Sequence, residues 1–94
     1  MTTAIIGAGV MGETLLAGLL RANVPTSELL IADRRIERSA EVTAKHGVKN
    51  GTNAEVAAAA DTIALVVKPQ DMGSVLEEIA GSLKPGALVV SLAA

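Results

Sequence analysis

One short stretch constrains this chain more than any other. Ala4-Ile5-Ile6 runs into Gly7-Ala8-Gly9-Val10-Met11-Gly12, and Leu15, Leu16, Leu19 and Leu20 follow at helical spacing. An uncharged apolar triplet suits a strand covered on both faces. The glycines form G-x-G-x-x-G between that strand and the opening of a helix, which is the setting of a dinucleotide-binding turn. Each glycine then serves a different physical purpose. The first permits the tight turn, the second lets a pyrophosphate approach the backbone, and the third lets helix and strand pack closely. The helix start adds unpaired N–H groups and the positive end of its dipole. Asp33 follows about 20 residues later, where the same fingerprint places an acidic residue. The bland alternative is a glycine-rich strand-to-helix turn that binds nothing.

The 94 residues support one small domain with a single core, and half of them are apolar. No apolar run approaches the ~18 residues of a membrane span, and no basic segment precedes the first apolar run as in a signal peptide. A chain without cysteine has neither a disulfide frame nor a thiolate metal site, which fits a reducing cytoplasm. A net charge of −2 with no basic run argues against nucleic acid as a partner. No Phe, Tyr or Trp is present, so an adenine would lie against aliphatic side chains or an arginine plane. No metal-ligand set and no nucleophile–base pair stands out, and no catalytic residue is assigned.

Periodicity predicts a first helix from about Met11 to Ala22, with the four leucines inward and Asn23 as a left-handed stop. Leu29-Leu30-Ile31-Ala32 reads as a second buried strand ending at Asp33, which closes a first βαβ unit. Asp33-Arg34-Arg35 carries two opposed signals. An acidic residue here accepts from the ribose 2′-OH of NAD. Arginines at the same place bind a 2′-phosphate through a planar fork, and two in a row lean the reading toward NADPH, with NADH as the alternative. The structural alternative makes Asp33 a helix N-cap and the arginines solvated.

The second helix is expected from Ile36 to about Lys45, with Ile36, Ala40, Thr43 and Ala44 inward, closed by His46 and Gly47. His46, the only histidine, reads as a partner of the helix dipole rather than a catalyst. Val48-Lys49 is at most a short edge strand, and Thr52 with Glu55 forms a capping box before an alanine-rich helix. Thr62 to Val67 is the clearest strand, apolar and β-branched. After Lys68-Pro69-Gln70, Asp71 is expected to cap a helix with Val75, Leu76, Ile79 and Leu83 inward, and Ala87–Ser91 forms a last strand.

This alternation implies an α/β fold of Rossmann type: a doubly wound parallel sheet, strand order 3-2-1-4-5, with helices on both faces. Ligands bind outside the carboxyl ends of such strands, so Gly7–Gly12, Asp33–Arg35, Val67–Lys68 and Ala93–Ala94 are expected around one crevice. Because the chain stops just after a strand, residues 1–94 are expected to be the N-terminal dinucleotide-binding domain of a longer protein.

With these motifs assembled, the sequence resembles the N-terminal domain of the pyrroline-5-carboxylate reductases. The likeness rests on Thr3 to Glu13 with Leu15–Leu20, on Val66-Val67-Lys68-Pro69-Gln70, and on Val90-Ser91-Leu92-Ala93-Ala94. The V-K-P-Q segment discriminates best, since dinucleotide-binding domains in general do not need it. The resemblance implies reduction of the C=N bond of 1-pyrroline-5-carboxylate to L-proline with NADPH or NADH. It also implies a following helical domain that forms a homo-oligomer and supplies much of the substrate site. By the same resemblance Gly7, Ala8, Gly9, Val10, Met11 and Gly12 hold the pyrophosphate, and Arg34 and Arg35 meet the 2′-phosphate. Asn53 contacts the adenosine side, Val66, Val67, Lys68 and Pro69 lie along the nicotinamide half, and Ala93 and Ala94 sit beside the nicotinamide. Val10 departs from the polar residue common at that place, which would cost roughly the 0.5–1.5 kcal/mol of one hydrogen bond.

Three rival readings remain: a reductase of the β-hydroxyacid dehydrogenase type, a nucleotide-sensing module without turnover, and an α/β fragment whose crevice never forms alone. Lys68-Pro69-Gln70 counts against the first, and the paired arginines count against the second.

Overall fold

Apolar strands joined by amphipathic helices leave one economical arrangement, a parallel sheet sandwiched between two helical layers. The computed structural model, which describes residues 1–92, has that architecture. The described residues hold five strands: β1 (Thr3–Ile6), β2 (Leu29–Ala32), β3 (Lys49–Asn50), β4 (Thr62–Leu65) and β5 (Leu88–Ser91). They alternate with four α-helices: α1 (Val10–Arg21), α2 (Ile36–His46), α3 (Asn53–Ala59) and α4 (Pro69–Ile79). All pairings are parallel, in the order β3-β2-β1-β4-β5. No helix among the described residues is long and apolar enough to cross a membrane.

Alternation along β1 divides the core. Ala4 and Ile6 point into the layer closed by Val56 and Ala57 of α3 and Val75 and Ile79 of α4. Ile5 points into the layer closed by Leu16 of α1 and Val42 of α2. The sheet is thus covered on both faces, as the uncharged strands require. Local signals end the helices: Asn23, at φ 67°, follows α1, and Gly47, at φ 72°, caps α2 in the left-handed region. The capping box at α3 is complete, with Glu55 N–H donating to Thr52 Oγ1 at 3.1 Å and Thr52 N–H to Glu55 Oε1 at 2.8 Å.

Four expectations need correction. β4 ends at Leu65 instead of Val67, because Gly7 turns β1 away at φ 106° and ends the ladder on that side after Val66. Val66 N–H still donates to Ile6 C=O at 2.8 Å. In α2 the inner face is Ser39, Val42 and His46, with Thr43 half-buried and Ile36, Ala40 and Ala44 exposed. The register is set by Val42 packing on the sheet, which turns Ile36 outward. α4 begins with Lys68 at the N-cap and Pro69 in its first turn, so Asp71 lies inside that turn and does not cap. Leu76 is exposed, because Val75 and Ile79 already define the buried side of α4.

Candidate functional site

The three fingerprint glycines differ in what surrounds them. A methyl group on Gly7 would run into the Val66 carbonyl, and one on Gly12 into the Gly7 carbonyl. Both are therefore demanded by the protein's own packing, and Gly7 also by its positive φ. Gly9 is different: among the described residues the sole neighbour of a methyl there is Arg35 Nη2, 3.9 Å away. Gly9 caps α1, whose first internal bond runs from Glu13 N–H to Gly9 C=O at 2.9 Å. The N–H groups before Glu13 have no acceptor inside the helix, so they and the dipole face outward from this turn.

They face a cavity of about 1280 Å³ at the carboxyl ends of the strands. Gly7, Gly9, Val10, Met11 and Gly12 form its floor. Arg34 and Arg35 stand on the β2 side, Asn53 on the α3 side, and Val66, Val67 and Lys68 after β4. Eleven of the expected site residues are thereby gathered in one crevice at the switch point between β1 and β4. Two are not on its wall. Ala8 is buried, and Pro69 sits in the first turn of α4. Ala93 and Ala94 lie outside the described residues.

Ala8 is instead where the protein grips its own turn. Its N–H donates to Asp33 Oδ2 at 2.8 Å, and its carbonyl accepts from Arg38 Nε. Asp33, with a side chain 6% exposed, also accepts from the Arg35 backbone N–H at 2.8 Å. The Arg35 guanidinium completes the set through Nε and Nη2, each at 2.9 Å. Burial pushes the Asp33 carboxyl up, but these donors outweigh it and hold its pKa at about 2. Asp33 is therefore an anchor between the β2 loop and the glycine turn. It does not cap α2, whose N-cap is Arg35.

Glu13 supports the same turn from below. It pairs with Arg38 Nη2 at 2.7 Å, His46 Nε2 at 2.8 Å and Lys45 Nζ at 3.1 Å. The bonds from His46, Arg38 and Lys45 hold its pKa near 2. His46 thus ends α2 as expected, but its partner is a side chain of α1.

Sequence reasoning missed part of the wall. Ile36, 80% exposed, lines the crevice beside the arginines as an aliphatic surface. Asp71, Ser74, Val75 and Glu78 line it from α4. Their i, i+3, i+4, i+7 spacing was the available signal, since it marks one helical face. Arg34, 78% exposed, reaches Asp71 Oδ1 at 3.5 Å, and Asn53 Nδ2 donates to Glu78 Oε2 at 3.0 Å.

The resemblance seen in the sequence is matched by comparison with known proteins. A pyrroline-5-carboxylate reductase of Corynebacterium melassecola is 39% identical over 97 residues, covering 99% of this chain and 36% of the relative. The structure of a pyrroline-5-carboxylate reductase from Coxiella burnetii superposes with a TM-score of 0.91 at 29% identity, over 98% of this chain and 35% of that one. The Plasmodium falciparum pyrroline carboxylate reductase with NADP bound gives 0.82 at 26% identity, over 99% of this chain and 33% of its own. The chain thus spans about a third of the length of these relatives. The family described as NADP oxidoreductase coenzyme F420-dependent matches residues 2–94, and with its glycine turn at the switch point of a 3-2-1-4-5 sheet the chain belongs to that family.

Proposed function

We propose that this chain is the NADPH-binding domain of a reductase that converts 1-pyrroline-5-carboxylate to L-proline. The observation that carries the cofactor half is Gly9. It is a glycine that the protein's own packing does not demand, at a helix N-terminus open to the crevice. Close approach by a pyrophosphate is the physical reason for such a glycine. The substrate half rests on the 39% identical relative and its name.

When bound, NADPH supplies the hydride, and this chain binds and orients it. The N–H groups opening α1 would face the pyrophosphate. Arg34 and Arg35 would meet the 2′-phosphate, with Arg34 the freer of the two because Arg35 is already forked onto Asp33. The Asp33 carboxylate already takes four donors, so it has little capacity left for a ribose 2′-OH, which supports NADPH over NADH. Ile36 would cover the adenine in a chain without aromatic residues. Asn53 belongs to the adenosine side, and Val66, Val67, Lys68 and Pro69, followed by Ala93 and Ala94, to the nicotinamide half. A protonated imine is a cation, so the Lys68 ammonium is a poor neighbour for it and acts through its backbone or by reaching a phosphate. A further helical domain that supplies the substrate site and the homo-oligomer contacts belongs to the same proposal, as does a cytoplasmic setting.

Titration with NADPH and then NADH, followed by nicotinamide fluorescence, tests the cofactor half. Tighter binding of NADPH is expected, falling about tenfold in Arg34→Ala, the size of one charge-assisted contact. Equal binding of both cofactors overturns the arginine assignment. Binding of neither by a folded chain overturns the nucleotide reading. For the substrate half, the chain replaces the matching third of the Corynebacterium melassecola relative. The chimera is expected to oxidise NADPH when given 1-pyrroline-5-carboxylate, and a folded, NADPH-binding chimera inert toward that substrate overturns the assignment.

A further inference from the structure

Of the three polar side chains assigned to the adenosine end, Arg35 is held by Asp33, and the other two are both held by one helix, α4. Arg34 comes from the loop after β2 and reaches Asp71 Oδ1 at 3.5 Å. Asn53 opens α3 and donates to Glu78 Oε2 at 3.0 Å. Asp71 and Glu78 stand two turns apart on the face of α4 that forms a crevice wall. The Arg34 guanidinium is mostly exposed and Asp71 is partly so, which makes this an ion pair that a stronger anion can displace.

We propose that Asp71 sets the cofactor preference of the crevice by competing with the 2′-phosphate for Arg34. The inference rests on the nucleotide reading given above and adds a specificity residue to it. Asp71 engages Arg34 through one Nη1 contact, so a 2′-phosphate that takes the guanidinium fork draws it away from Asp71 and brings its own negative charge to the same place. A 2′-hydroxyl has no claim on that guanidinium, so NADH binding leaves the pair intact. Asp71 therefore penalises NADPH selectively. The Glu78–Asn53 contact involves no group that distinguishes the two cofactors and bears on both alike.

The test is the ratio of NADPH to NADH affinity, measured by nicotinamide fluorescence on the chain and its variants, with circular dichroism as the check of folding. Asp71→Asn is expected to raise NADPH affinity about three- to fivefold, the size of one exposed ion pair, with NADH nearly unchanged. Asp71→Ser is expected to do the same, which covers a folding defect in either variant. In an Arg34→Ala background the gain is expected to vanish, since there is no longer a shared cation. Glu78→Gln is expected to leave the ratio close to that of the unaltered chain. An unchanged ratio in both folded Asp71 variants overturns the proposal while leaving the nucleotide reading standing. A gain that persists without Arg34 overturns it too, because plain repulsion would then be the cause. Failure of the unaltered chain to bind either cofactor overturns the nucleotide reading and this inference together.

Discussion

At the scale of single residues, three glycines with one spacing do different physical work. Gly7 and Gly12 are enclosed by backbone carbonyls, so Gly7→Ala and Gly12→Ala are expected to cost about 2–4 kcal/mol. Gly9→Ala meets no such obstacle and is expected to keep its thermal midpoint within a few degrees while losing cofactor affinity. Thermal unfolding set beside NADPH titration separates the two classes. Acid behaviour follows from Asp33 and Glu13, both held at about 2 in the fold against 3.8 and 4.5 otherwise. Each is depressed by folding, so the unfolded chain binds protons first as pH falls. The stability they contribute is fully present above about pH 5 and is lost progressively as pH falls toward about 2. Urea unfolding between pH 6 and pH 2 is expected to show that decline, and Glu13→Gln to flatten it.

At the scale of elements, α2 is the instructive case. Counting from Ile36 puts that residue inside, whereas the packed register puts Val42 and Ser39 inside and Ile36 at the crevice. This 11-residue helix has few apolar residues, and its inner face is built from polar Ser39 and His46 on either side of Val42, where a count of apolar positions does not look. Val42→Ala is therefore expected to destabilise by about 1–3 kcal/mol, and Ile36→Ala by under ~0.5 kcal/mol. Ile36→Ala is expected to weaken cofactor binding instead. Guanidinium unfolding and titration of the two variants would invert that order if the counted register were right. At α3 the Thr52–Glu55 box was plain in the sequence, because a capping box needs only residues three apart. Thr52→Ala is expected to cost about 1 kcal/mol by thermal denaturation.

At the scale of the molecule, the sheet order and the place of the crevice were legible because they follow from rules of chain handedness and from where a parallel sheet reverses its winding. Hydrophobic runs identified the strands, the glycine turn located the first of them, and the order 3-2-1-4-5 followed. The partners inside the crevice were not legible. Asp33 could be read as a ribose ligand or as a helix cap, and the fold makes it an anchor that joins Ala8 to Arg35. Glu13 stands in the first turn of α1 with nothing nearby in sequence to name its partners, and it is the meeting point of Arg38, Lys45 and His46 of α2. Sequence alone determined what depends on neighbours along the chain: strand and helix identity, the turn, the caps, and through them the topology. Tertiary structure alone decided which charged group engages which partner. Apart from Arg35 on Asp33, two residues away, the contacts that build the crevice are made across 25 to 37 residues, as at Ala8–Asp33 and Arg34–Asp71, where no local spacing rule reaches.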